Sequence, residues 1–152
     1  MQLSIKGKDR SLCLKEVKYS TYFFSTILLG KRMIKNISLD IEYKDNLGFS
    51  WGYCYPLLYD NGVFRDFEIS IRPSIHRKRS LKIIAHELTH LYQFTRGYLK
   101  YCDKDMMTLV WHGKKMSLKN EILPWEVEAM KMEKILVEQY LDHLRDNSIE
   151  FS

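Results

Sequence analysis

Ile83-Ile84-Ala85-His86-Glu87-Leu88-Thr89-His90 carries an H-E-x-x-H pattern inside a stretch with helical apolar spacing. Two residues four apart on a helix are offset by about 40° around its axis, so both imidazoles point into one space. Two neutral imidazoles plus one further ligand suit a zinc ion that keeps an open coordination position. Glu87 stands beside them, within reach of a proton on a water held by the metal. With five His and ten Glu in 152 residues, the pattern arises by chance in roughly one shuffled chain in a hundred, so its setting matters. Ile84, Leu88, Leu91 and Thr95 follow 4-3-4 spacing and give the segment a buried side. Ser80 is the expected N-cap and Gly97 the expected stop, for a helix of roughly residues 80 to 96.

Working outward, the chain reads as one α+β domain spanning residues 1–152. Leu14, Val17, Phe24, Ile27 and Leu28 recur at helical spacing, which predicts a first helix over 11–31 that ends at Gly30. Ile37, Leu39, Ile41 and Tyr43 alternate with polar residues and predict a half-buried strand. Residues 47–58 read as a strand or extended loop, and Asp60-Asn61-Gly62 as a turn. Phe67, Ile69 and Ile71 predict a strand at 66–72 immediately before the H-E-x-x-H helix, with a sheet edge beside the histidines. Met107, Leu109 and Trp111 predict another strand, turned at Gly113 into a hairpin. Pro124 opens a last helix with Trp125, Ala129, Met132, Leu136, Tyr140 and Leu144 on one face. Asn147 to Ser152 are expected to fray.

The aromatic content, 13%, argues against disorder. Cys13, Cys54 and Cys102 are odd in number and widely spaced, with no C-x-x-C, which argues against a disulfide framework or zinc knuckle and fits a reducing, cytoplasmic setting. No apolar leader is seen at the N-terminus, and the most apolar run, Tyr22 to Gly30, is too short to span a bilayer. The net charge of +5 permits a nucleic-acid partner without requiring one. His76-Arg77-Lys78-Arg79 reads as a solvated loop ahead of the helix.

Three residues compete to be the third ligand: Glu126, Glu128 and His112. Glu126 and Glu128 lie about 200° apart on a helix, so only one can face the metal. Ala129, three beyond Glu126, shares its face and is small enough for a close helix contact. Glu126 near a helix N-terminus is also favoured as an anion. His112, just ahead of Gly113, stands as the alternative ligand or as an oxyanion donor, a role that Tyr92 and Tyr98 could also fill.

His86-Glu87-Leu88-Thr89-His90 followed by Glu126-Val127-Glu128-Ala129 resembles the gluzincin metallopeptidases, whose second helix carries a glutamate ligand and then a small residue. More narrowly, "HELTHLYQFTRG" (86–97), Trp111-His112-Gly113 and "PWEVEA" (124–129) resemble the small SprT-like and phage-type metallopeptidases. The resemblance spans roughly residues 80–130. It implies a zincin-like domain, zinc at His86, His90 and Glu126, Glu87 as general base, and a protein or peptide substrate. Two departures stand out. Met130 occupies the place where many gluzincins carry an Asp or Asn that orients a ligand histidine. His112-Gly113 imitates the third-histidine segment of SprT-like proteases. Alternatives to a general peptidase are a SprT-like protease acting on DNA-associated proteins and a zincin-fold binding module with little catalysis.

Overall fold

Leu39, Ile41 and Tyr43 share one face of a strand, and Phe67, Ile69 and Ile71 lie beside them in parallel register, residue for residue. These two strands form the centre of the larger sheet. The computed structural model of the chain describes residues 1–60, 63–102, 105–119 and 122–152. The expected turn at Asp60-Asn61-Gly62 includes Asn61 and Gly62, which lie outside the described residues. The elements in order are β1 (Gln2–Lys6), α1 (Leu14–Leu29), α2 (Lys31–Ile34), β2 (Ser38–Tyr43), β3 (Gly52–Asp60) and β4 (Val63–Ile71). Then come α3 (Arg77–Thr95), β5 (Leu99–Cys102), β6 (Asp105–Trp111), β7 (Lys114–Ser117) and α4 (Pro124–Asp146). The fold is α+β. One sheet has the order β1-β2-β4-β3, and a second is the antiparallel β5-β6-β7 meander.

The larger sheet is apolar on the face that packs on α3 and polar on the other. Leu39, Ile41, Phe67, Ile69 and Ile71 are all buried, while Asp40 and Glu42 look outward. Helix α3 packs on that inner face and is flanked by α1 and α4. Its expected stripe is where spacing put it, with Ile84, Leu88 and Leu91 each 1% exposed. These side chains and those of the sheet belong to one buried cluster.

Several local expectations are corrected. Strand β4 is interior, with β2 on one side and β3 on the other, so the edge bordering α3 belongs to β3. The segment before a helix need not be an edge, because β3 and β4 pair as neighbours and β3 takes the outer place. Helix α3 starts at Arg77, so three of the four residues in the basic cluster form its first turn. Ser80 is therefore no cap. It is buried, and its Oγ bonds to Ser11 and to the carbonyl of Ser74. A cationic first turn opposes the helix dipole, and the Arg77–Glu16 ion pair at 2.5 Å offsets part of that.

Helix α1 begins at Leu14, not 11, and its buried stripe is turned from the expected one. Leu14 and Ile27 are exposed, whereas Ser20, Thr21 and Ser25 are buried. The hydroxyls of Ser20 and Thr21 return to the carbonyl of Val17, which lets small polar residues pass as core. Gly97, at φ 74°, does stop α3: the Tyr98 N–H reaches the Gln93 carbonyl and the Gly97 N–H that of Phe94. His112 and Gly113, with φ 47° and 80°, form the two-residue turn between β6 and β7, so His112 is not a strand residue. The last residues do not fray: Ile149 N–H bonds to the Leu144 carbonyl, and Phe151 packs on Tyr19 at 5.5 Å. Among the described residues no helix is long and apolar enough to cross a membrane.

Candidate metal centre

Helices α3 and α4 meet in opposite senses, so Gln93 reaches Trp125 and His86 reaches Glu133. Ala129, fully buried, lies between those contacts and lets the two helices approach. His86 and His90 project into the space so formed, their rings edge to face at 4.8 Å. Glu126, in the first turn of α4 after Pro124, projects into it from the other side. Its two oxygens lie 3.0 Å from His86 Nε2 and 3.0 Å from His90 Nε2. The two Nε2 atoms are 3.2 Å apart.

The hydrogen bonds behind these groups fix which atoms carry protons. Gln93 donates through Nε2 to the Trp125 carbonyl at 3.0 Å and to Glu128 at 3.2 Å. Its Oε1 therefore faces His90 Nδ1 at 2.8 Å and accepts from it. His86 Nδ1 donates to Glu133 at 2.7 Å. In the neutral rings both Nε2 atoms are then lone-pair acceptors, and they converge with a carboxylate on one point that holds no donor. Converging acceptors of this kind suit a hydrogen-bond donor or a metal cation. Tetrahedral zinc with ligand bonds of about 2.0–2.1 Å needs ligand atoms about 3.3 Å apart, close to the spacings found. These three residues offer ligand atoms that could hold a metal ion.

The three groups also shift one another's ionisation. Burial pushes the His86 imidazolium down, but hydrogen bonds to Glu126 and Glu133 raise it to about 10. His90 is likewise raised over the opposing effect of burial, chiefly by Glu126. Burial works to raise Glu126, and the two histidines outweigh it and hold its carboxyl well below the usual range. All three shifts come mainly from the attraction between the two imidazoles and the Glu126 carboxylate, set against burial.

Glu87, 5% exposed, lies against β3 beside this centre. Burial lifts its carboxyl to about 7, against the pull of His90 and His86. A carboxyl near neutrality suits taking up and returning a proton. The space for it comes from Gly52: a β-carbon there would sit 2.9 Å from Glu87 Oε1 and 3.1 Å from the Ser70 carbonyl.

A cleft of about 780 Å³ opens over the centre and is lined by His86, Glu87, His90 and Glu126 together with residues of β3. The size is ordinary for a ligand site. Among the described residues β3 bonds to β4 on one side only, and its other edge borders the cleft.

His86, His90, Glu126 and Glu87 therefore come together. Glu128 instead receives Gln93, on the side away from the histidines' Nε2 atoms. His112 is exposed, stacks on Tyr98 at 4.7 Å and does not line the cleft. Tyr92, edge-on to Tyr98 at 5.8 Å, belongs to that same outside cluster. The phenols that do line the cleft are Tyr53, Tyr55 and Tyr101. Sequence reasoning missed Glu133, Gln93 and Gly52. The first two carried a usable signal: Glu133 is seven residues after Glu126, and Gln93 is seven after His86. A spacing of seven returns to the same helix face after two turns. Glu133 supplies the orienting carboxylate that Met130 lacks.

Compared with known proteins, the chain matches no family model, no curated protein and no solved structure.

Proposed function

We propose that the protein is a zinc-dependent peptidase with a zincin-like domain. The observation that carries this reading is the convergence of the His86, His90 and Glu126 acceptors on one point, with Glu87 beside it in an open cleft. Two imidazoles and a carboxylate are a donor set that favours zinc over harder cations. A zinc ion held there would leave a coordination position open and supply the Lewis acidity that acidifies a water and polarises a carbonyl.

The chain's own residues do the rest. Glu87 takes a proton from the attacking water and hands it to the leaving amine. Glu133 and Gln93 keep the Nε2 atoms of the two histidines turned inward. The cleft-side edge of β3 can hold an extended peptide by main-chain hydrogen bonds, which bind without reading much sequence. Unfolded or extended polypeptide is the substrate form this favours.

The test joins metal content to one substitution. Protein prepared without chelator should carry zinc. Glu87→Gln should keep fold and metal and lose at least the roughly 10²–10⁴-fold that a general base contributes. Folded protein that takes up no zinc when supplied ends the reading. Equal turnover of an unfolded protein by wild type and Glu87→Gln removes Glu87 from the role.

A further inference from the structure

The cleft differs at its two ends. Helix α3 runs along it and presents, in order, Arg79, Lys82, His86, Glu87, His90 and Phe94. Beyond His90 the wall is apolar: Phe94 stacks on Tyr101 at 5.6 Å, with Leu99 and Trp125 buried behind. Ahead of His86 the wall is cationic. The Arg79 guanidinium lies 4.8 Å from the centre of the Trp51 ring, and that of Arg72 lies 5.3 Å from it. Lys82 is half-buried one helical turn before His86. Among the described residues no carboxylate pairs with Arg72, Arg79 or Lys82, whereas neighbouring Arg77 is matched by Glu16. The Nε of Arg72 is buried with no hydrogen-bond partner. Arg79 and Lys82 thus stand in the cleft wall without a paired anion, while Arg72, packed on the same indole, donates through Nη2 to the Gly48 carbonyl. An incoming anion would find the Arg79 and Lys82 charges free to bind it.

We propose that this end of the cleft is a subsite for a carboxylate that an extended peptide carries on the C-terminal side of the scissile bond. The inference rests on the peptidase reading above. Along the cleft β3 and α3 run in the same sense, since Trp51 meets Arg79 and the next residue, Gly52, meets Glu87. A peptide added antiparallel to β3, the slightly more stable pairing, therefore sends its C-terminal half toward Lys82 and Arg79. Lys82 lies about 6 Å and Arg79 about 10 Å along the helix from His86, by the helical rise. An extended chain advances about 3.3 Å per residue, so the carboxylate falls roughly two to three residues past the cut. The Trp51 face orients the Arg79 fork, and guanidinium and ammonium both bind carboxylate by charge-assisted hydrogen bonds. An Asp or Glu side chain and the peptide's own C-terminus offer the same chemistry.

The test uses four peptides with one common N-terminal half that ends in a large apolar residue. After the cut they carry an internal Glu, an internal Gln, a free C-terminus, or the same terminus amidated. Cleavage by zinc-loaded wild type gives kcat/KM, and fluorescence anisotropy of labelled peptide on zinc-loaded Glu87→Gln gives affinity without turnover. A preference of about tenfold or more, near 1.4 kcal/mol, for Glu over Gln assigns the side-chain source. The same preference for the free over the amidated end assigns the terminus. Lys82→Glu with Arg79→Glu should invert the ratio. Lys82→Gln with Arg79→Gln, which disturbs folding less, should bring it toward one. Hydrolysis without charge selection, or a ratio unmoved by the Gln pair, overturns the subsite and leaves the peptidase reading intact. Charge-selective binding with no hydrolysis by wild type does the reverse.

Discussion

Glu133 accepts a hydrogen bond from Nδ1 of His86 at 2.7 Å, seven residues along α4 from Glu126. One face of one helix thus supplies both a candidate ligand and the carboxylate that orients its neighbour. Such outer partners fix the ring and raise its basicity, and losing one typically lowers metal affinity about 10–100-fold. Glu133→Gln should fall in that range, since it keeps the shape and loses the charge. Exposed Glu138, on the same helix, is the control. Zinc titration of the two variants is the measurement. Equal affinities would show that the His86–Glu133 contact has no bearing on metal binding.

Gly52 sets the position of Glu87. A β-carbon at 52 meets Glu87 Oε1 at 2.9 Å, its Cγ at 3.0 Å and the Ser70 carbonyl at 3.1 Å. The carboxylate can move, but the backbone of β4 cannot move cheaply. Gly52→Ala should therefore leave zinc binding near normal while displacing the base. Misplacement of a reacting group by about 1 Å can cost on the order of 10²-fold in rate. Wild-type turnover from zinc-loaded Gly52→Ala would refute this role.

The third-ligand choice separates three variants. Glu126→Ala should reduce zinc affinity by more than the roughly 10–100-fold of an outer partner. Glu128→Ala removes an acceptor for Gln93 and should have a small effect. His112→Ala should have none, since its ring stacks on Tyr98 outside the cleft. If His112→Ala loses zinc and Glu126→Ala does not, the site belongs to the three-histidine type, and the glutamate assignment is wrong.

What could be read in the sequence tracks how local its cause is. Strands β2 and β4 and helices α3 and α4 carry their patterns in their own residues, because each buries one face against the core. Strand β1 carries only Leu3 and Ile5 as apolar residues, and it forms through pairing with β2, more than thirty residues away. The α1 stripe misled because Ser20 and Thr21 hide their hydroxyls in the helix backbone. Glu133 looks like any charge on a solvated helix until α3 is laid against it. Phe49, Trp51 and the cleft-side edge of β3 gain meaning only when the sheet order is known.

The Asp9 carboxylate ties the N-terminal loop to the loop ahead of α3. Its Oδ2 accepts from the Ser11 N–H at 3.1 Å, the Ser11 hydroxyl at 2.8 Å and the Leu12 N–H at 2.9 Å. Its Oδ1 accepts from the Ser74 N–H at 2.9 Å. Burial works to raise its pKa, but the hydrogen bonds, that from Ser74 foremost, outweigh it and hold the carboxyl below its ordinary 3.8. Asp9→Asn turns one acceptor into a donor that faces other donors, and should destabilise by roughly 1–3 kcal/mol at neutral pH. The sign of the pH dependence follows. A folded-state pKa below the unfolded value adds stability that is complete above the unfolded value and fades as pH falls through the folded one. The gap between wild type and Asp9→Asn should therefore be widest at pH 6 to 7 and narrow below about 4. Urea unfolding of both proteins at neutral and acidic pH measures it. A gap that stays constant down to the most acidic pH at which both fold would show that the loop is held by its shape and not by the Asp9 charge.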